Sequence, residues 1–248
     1  MKSPIPCRIL DAPTTQELVT LLLGNEPLFL DDFETGDGDL PDNAAFSIAT
    51  FLTIENALRP VRFTGFNFWL FAELTEEGAE VIARSGIAEV DLDTVATVSA
   101  ATIRILVECR TIETLRLGGL QQITPETARI LADFQGRSLS LHGLDTLSWE
   151  AAEWLARFPN RLSLGITHLP VEVARQLAKQ RGDLEFVQLV ALFDDEALAI
   201  SKHRGTSLSF GELFEPHATT LRILGQYRGV LRAPWARRAI SNCRKRRR

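Results

Sequence analysis

The chain has 248 residues, 45% of them hydrophobic and 24% charged, an ordinary composition for a folded chain with material for a sizeable core. No apolar run reaches the about 18–20 residues of a membrane span, and Leu18–Leu23 follows Asp11 and Glu17 rather than a basic start, so neither a transmembrane segment nor a signal peptide is expected. The formal net charge of −5 conceals an asymmetry: residues 231–248 hold eight Lys or Arg and no acid, while the preceding 230 residues hold 19 basic against 32 acidic, a net of −13.

Residues 1–65 read as an N-terminal cap with divergent repeats. Thr14 and Glu17 before LVTLLL form a capping-box signature, Leu28–Leu30 reads as a strand, and residues 44–58 read as a helix. The acidic loop DDFETGDGDLPDN between them invites a calcium reading, which needs oxygen donors at alternating positions. Counting from Asp37, Asp39 fits but Pro41 stands where a third donor is required, so a solvated loop is expected. Cys7, Cys109 and Cys243 are odd in number, widely spaced and without a CxxC, which points to free thiols and a reducing, cytoplasmic setting.

From residue 66 a period appears. Short L-x-L elements start at Phe66, Val90, Leu115, Leu139, Leu162, Leu184 and Leu208, with a degraded eighth at Leu231; successive steps are 24, 25, 24, 23, 22, 24 and 23 residues. Two positions on stand Phe68, Leu92, Leu117, Leu141, Leu164, Phe186 and Phe210. Three further come Phe71, Val95, Leu120, Leu144, Leu189 and Leu213; the 162 unit is one residue short and supplies Ile166. This alternation predicts a strand with one buried face.

The second half of each unit changes period. Ala79, Ile103, Ala128, Ala152, Ala174, Ala197 and Leu221 are each followed three residues later by Ile82, Leu106, Leu131, Leu155, Leu177, Ile200 and Leu224, the spacing of a helix's buried face. Thr75, Ser99, Thr124 and Ser148 are the expected N-caps, and Glu77, Glu126 and Glu150 suit the positive first turn. Gly86, Gly136, Gly182 and Gly205 are expected to close helices before the next strand. Of two tryptophans in one helix, Trp154 is expected in the core and Trp149 exposed.

The string LSLHGLDTLSWEAAEWLARF at 139–158, echoed by ITPETARILADFQG at 123–136 and LTEEGAEVIARSG at 74–86, resembles the leucine-rich repeats of the bacterial 23–24-residue variety. The resemblance covers residues 66 to about 230. It departs from the commonest pattern in lacking an asparagine ladder, because Phe71, Val95, Leu120, Leu144 and Leu189 occupy those positions. It implies an α/β solenoid over 66–230, with parallel strands on the concave face and short helices on the convex face. It also implies recognition of a macromolecule, usually protein, without catalytic residues or a cofactor.

The chemistry-bearing residues agree with that expectation. His142, His168, His203 and His217 fall at different positions in different units, and none pairs with Cys or a second His at ligand spacing, so no metal site is expected. No GxSxG, GxxxxGK[ST] or strand-linked GxGxxG occurs, and Gly118-Gly119 is explained by a tight turn. The outward strand positions are aromatic and acidic early in the stack and small later on. Trp69, Asp91, Asp93, Arg116 and His142 form the candidate contact patch, since aromatic and arginine side chains dominate interface energetics. Residues 231–248 read as a basic, disordered tail, with Pro234 interrupting the last unit. Arg244, Lys245, Arg246, Arg247 and Arg248 offer an alternative function, tethering an acidic body to nucleic acid or an anionic membrane.

Overall fold

A computed structural model describes residues 65–67, 73–74, 76–84, 86, 88–93, 95–211 and 216–233. All of the expected cap over 1–65 except Gly65, together with Trp69 and the tail from residue 234, lies outside the described residues. In chain order the elements are β1 (Gly65–Asn67), β2 (Glu73–Leu74), α1 (Glu76–Arg84), β3 (Glu89–Asp91), β4 (Thr97–Val98), α2 (Ala100–Glu108), β5 (Thr114–Arg116) and α3 (Pro125–Ala132). They continue with β6 (Ser138–Leu141), α4 (Trp149–Leu155), β7 (Arg161–Leu164), α5 (Val171–Leu177), β8 (Leu184–Phe186), α6 (Asp194–Ile200), β9 (Ser207–Phe210), α7 (Ala218–Leu224) and β10 (Val230–Arg232).

Eight strands form one open sheet in the order β1-β3-β5-β6-β7-β8-β9-β10, every neighbouring pair parallel. Each interior strand therefore pairs with the strands of the units before and after it, and each interior helix packs against the helices of the same two units. β2 and β4 make a separate parallel pair ahead of the first two helices; the β-branched Thr97 and Val98 suit that extended segment.

The apolar columns stand in register. Leu115 pairs with Leu139, Leu139 with Leu162, and Leu162 with Leu184, so leucine stacks on leucine across the sheet. Leu92, Leu117, Leu141, Leu164 and Phe186 are wholly buried, as are Ala128, Ala152, Ala174 and Ala197 on the helices, in one continuous cluster. Ile166 is also fully buried, so the shortened unit fills its place in the third column one residue early. Alanine suits the helix column because small side chains let adjacent helices and the sheet approach closely.

Ser99, Thr124 and Ser148 cap their helices, each side chain accepting from the backbone N–H three residues on. The next three helices start at Pro170, Phe193 and His217 without a side-chain cap, a loss worth about 0.5–2 kcal/mol each. The glycine expectation needs correction. Gly86, with φ of 74°, does follow α1 in the left-handed region. Helices α3, α5 and α6 end instead on right-handed Asp133, Ala178 and Ser201, ahead of Gly136, Gly182 and Gly205. Those glycines are required because the chain re-entering the sheet passes against backbone of the preceding unit, as Gly182 does against the Asn160 carbonyl. Leu231 and Arg232, assigned by composition to the tail, belong to β10; Leu231 still supplies the column residue and registers with Leu208.

A further column closes the helix C-terminal end of the stack: Cys109, Phe134, Phe158, Gln180, His203 and Tyr227. Phe134 stacks on Phe158 at 6.1 Å, and His203 lies 5.9 Å from Tyr227. Its polar members reach back to the preceding unit. Cys109 Sγ donates to the Ala83 carbonyl at 3.3 Å, Gln180 Nε2 to Asn160 at 2.7 Å and Phe158 at 3.2 Å, and the Tyr227 hydroxyl to Gly205 at 2.8 Å. His203 Nε2 stands 3.2 Å from the Gly182 carbonyl, and Asn160 Nδ2 donates to Gly136 at 2.8 Å. This ladder gives backbone carbonyls of the preceding unit side-chain partners.

Burial pushes the His203 imidazole below its ordinary value, against the pull of the Gly182 carbonyl and the Asp183 carboxylate. Above pH about 6.5 folded and unfolded chains both carry a neutral ring; below it the unfolded chain binds the proton first, so stability falls with pH. The urea midpoint is expected to decline between pH 6.5 and 5. His203→Phe, which continues the aromatic column, should remove that part of the decline. An unchanged slope in the variant would place the acid sensitivity elsewhere.

Candidate interaction face

The sheet has one face committed to the core, so alternate strand residues are presented on the other. Asn67, Asp91, Arg116, Ser140, Ser163, Glu185, Ser209 and Arg232 occupy one register position across all eight strands. Parallel pairing spaces them by about 4.8 Å per strand, within side-chain reach of their neighbours.

The candidate patch divides into two clusters. In the first, Arg116 and Asp91 pair at 3.5 Å, with Arg116 about half exposed and Asp91 mostly covered. Asp93 Oδ1 accepts the Gly118 N–H at 2.7 Å, and the Asp93 N–H donates to Asp91 Oδ1 at 3.1 Å. The Asp93 carboxylate lies where a side chain at Gly118, in the turn after β5, would stand. In the second cluster His142 Nε2 lies 2.8 Å from Ser163 Oγ, Ser163 Oγ donates to Glu185 Oε2 at 3.1 Å, and Arg161 holds the same carboxylate oxygen at 2.7 Å. Ser140 stands between the clusters and is buried, as is Ser163.

Four of the five expected patch residues are thus described, and the structure joins Asp91, Asp93 and Arg116 but holds His142 apart from them, across Ser140. Arg161 and Glu185 complete the second cluster. Alternation signals both, since Arg161 and Ser163 flank the buried Leu162, but pair geometry is not visible from one strand at a time. Ser163 is covered by longer neighbours, His142 and Glu185, which both bond to it.

The turn beyond this cluster is also bridged. Gln188 Nε2 donates 3.0 Å to the His142 carbonyl, two units back, across the shortened 162 unit.

The hydrogen-bond directions say what this cluster can do. An ionised carboxylate only accepts, so the Ser163 hydrogen lies toward Glu185 and the oxygen accepts from His142. An activated serine instead surrenders its proton to an imidazole that accepts it. Ser163 is only 3% exposed, its hydroxyl enclosed between His142 and Glu185. Among the described residues no group of three or more His, Cys, Asp or Glu is placed to hold a metal ion. Among them, too, no helix is long and apolar enough to cross a membrane.

Within this face two charged pairs join neighbouring strands, Asp91 with Arg116 and Arg161 with Glu185. Exposed pairs of this kind contribute about 0–1 kcal/mol to stability, so their weight lies in pattern. Compared with protein-family models and with curated proteins, the chain matches none.

Proposed function

We propose that the chain is a leucine-rich-repeat-type solenoid that acts as a non-catalytic scaffold, binding a protein partner through its outer strand face. The reading rests on one observation: eight parallel strands in chain order bring one residue per repeat into a single continuous row. A ladder of alternating charge along such a row selects partners by complementarity, and its half-exposed Arg116 is the anchor. The shielded serine of the second cluster favours binding over acyl transfer.

The test is affinity capture with three full-length forms: the parent, Arg116→Ala/His142→Ala, and a form with glutamines at residues 244–248. A protein retained by the parent and the tail form, but held at least about tenfold more weakly by the double variant, is the expected result. Recovery of nucleic acid or anionic lipid by the parent, lost with the tail changes and steeply weakened by salt, would transfer the function to the basic terminus.

A further inference from the structure

The helix side carries a groove of about 560 Å³ between α5 and α6. Val171, Ala178, Leu198 and Ala199 supply its apolar lining. Leu198 is 46% exposed, one of few large apolar side chains left open among the described residues. It occupies the helix position next to the buried Ala197, where α5 has Arg175 and α4 has Glu153. A leucine there leaves nearly half of its side chain open to solvent.

Charge is graded along the same groove. Glu172 and Asp195 lie in the first turns of the two helices, at one end. Lys179, Lys202 and Arg204 follow the helix C-termini at the other end, with Arg175 between. Helix dipoles account for the sign of each end but not for the surplus of cations. Arg175 reaches Glu172 only at 4.0 Å, and Lys179 donates to the neutral Gln176. Lys179, Lys202 and Arg204 form no salt bridge among the described residues. Elsewhere on the helix side Arg84 and Arg157 are matched by Glu80 and Glu153, while the isolated Arg104 and Arg129 form no salt bridge among the described residues. A net-positive groove on a body whose first 230 residues carry a net of −13 is a local inversion of charge.

We propose that this groove is a second docking surface, for a short acidic peptide segment with an apolar anchor. The anchor side chain seats against Leu198 and Val171, and its carboxylates meet Lys179, Lys202 and Arg204. The surface lies on the opposite side of the sheet from the Asp91–Arg116 cluster, so both can be occupied at once.

The probe is a short fluorescein-labelled peptide with two central leucines flanked by glutamates, read by anisotropy. The protein is the full chain with glutamines at residues 237, 238 and 244–248, so that the basic tail beyond β10 cannot hold the probe. Saturable binding is expected. Lys179→Glu/Lys202→Glu and Leu198→Ser should each weaken it at least about tenfold, and Arg116→Ala should leave it unchanged. All the substituted groove residues are exposed, and matching unfolding midpoints confirm intact folds. The proposal is overturned if no saturable binding occurs, or if serines in place of the peptide's leucines bind equally well. It is also overturned if Arg116→Ala weakens binding as much as the lysine reversal.

Discussion

Gly165→Ala is expected to cost more than about 3 kcal/mol of unfolding free energy, at the upper end of overpacking penalties. The strand-exit turn of the 162 unit is one residue short, and Gly165 is buried with its N–H donating to the Leu141 carbonyl at 3.0 Å. A methyl group there would overlap the His142 carbonyl oxygen, which is backbone and has no rotamer to escape into. The same carbonyl already receives Gln188, so moving it also breaks that bridge. Gly86→Ala is the matched comparison: it has φ of 74° but open space around it, so only the left-handed penalty of about 1–2 kcal/mol applies. Urea unfolding of both variants with linear extrapolation separates the two causes. Equal losses would mean that the turns of adjacent units are loosely stacked and free to move apart.

Phe158→Ala is expected to cost about 3–5 kcal/mol, the range for emptying an aromatic site in a packed core. Phe158 is fully buried, its ring stacks on Phe134 at an interplanar angle of 17°, and its carbonyl accepts from Gln180. The loss falls at the junction of two units in the middle of a stack where each strand and helix touches its chain neighbours. Hydrogen exchange in α4 and α5 should therefore rise before that in distant units, because coupling runs from neighbour to neighbour. Phe158→Leu keeps most of the volume and should cost markedly less. A loss below about 1 kcal/mol for the alanine variant would show that the column of Cys109, Phe134, Phe158, Gln180, His203 and Tyr227 is a surface rim and not core.

That column shows where reading residues in one dimension stops. It recurs three residues after Leu106, Leu131, Leu155, Leu177, Ile200 and Leu224, so its spacing is as regular as the columns that periodicity does identify. Its chemistry is mixed, cysteine, phenylalanine, glutamine, histidine and tyrosine, and no hydropathy pattern joins such residues. What they share is a position facing backbone carbonyls of the preceding unit, which exists only once units are stacked. Glycine misleads for the same reason. After a helical run Gly136, Gly182 and Gly205 look like caps, yet their requirement is for backbone clearance against the neighbouring turn.

Other features were legible because they depend on local period alone. The strand columns, the Ala-rich helix column, the caps at Ser99, Thr124 and Ser148, and the substitution of Ile166 in the short unit all follow from residue spacing. Side-chain direction repeats every two residues in a strand and every 3.6 in a helix, so sequence spacing by itself assigns each residue a face. Which outward residues meet is a different kind of fact. Asp91 with Arg116, and His142 with Ser163, are 25 and 21 residues apart, and the register of separate strands brings them together. The sequence by itself determined the apolar strand and helix columns; only the stacking of units decided the partners of the outward residues, the burial of Ser140 and Ser163 and the mixed column from Cys109 to Tyr227, because distances across a sheet are set by neighbouring backbones and not by the chain between them.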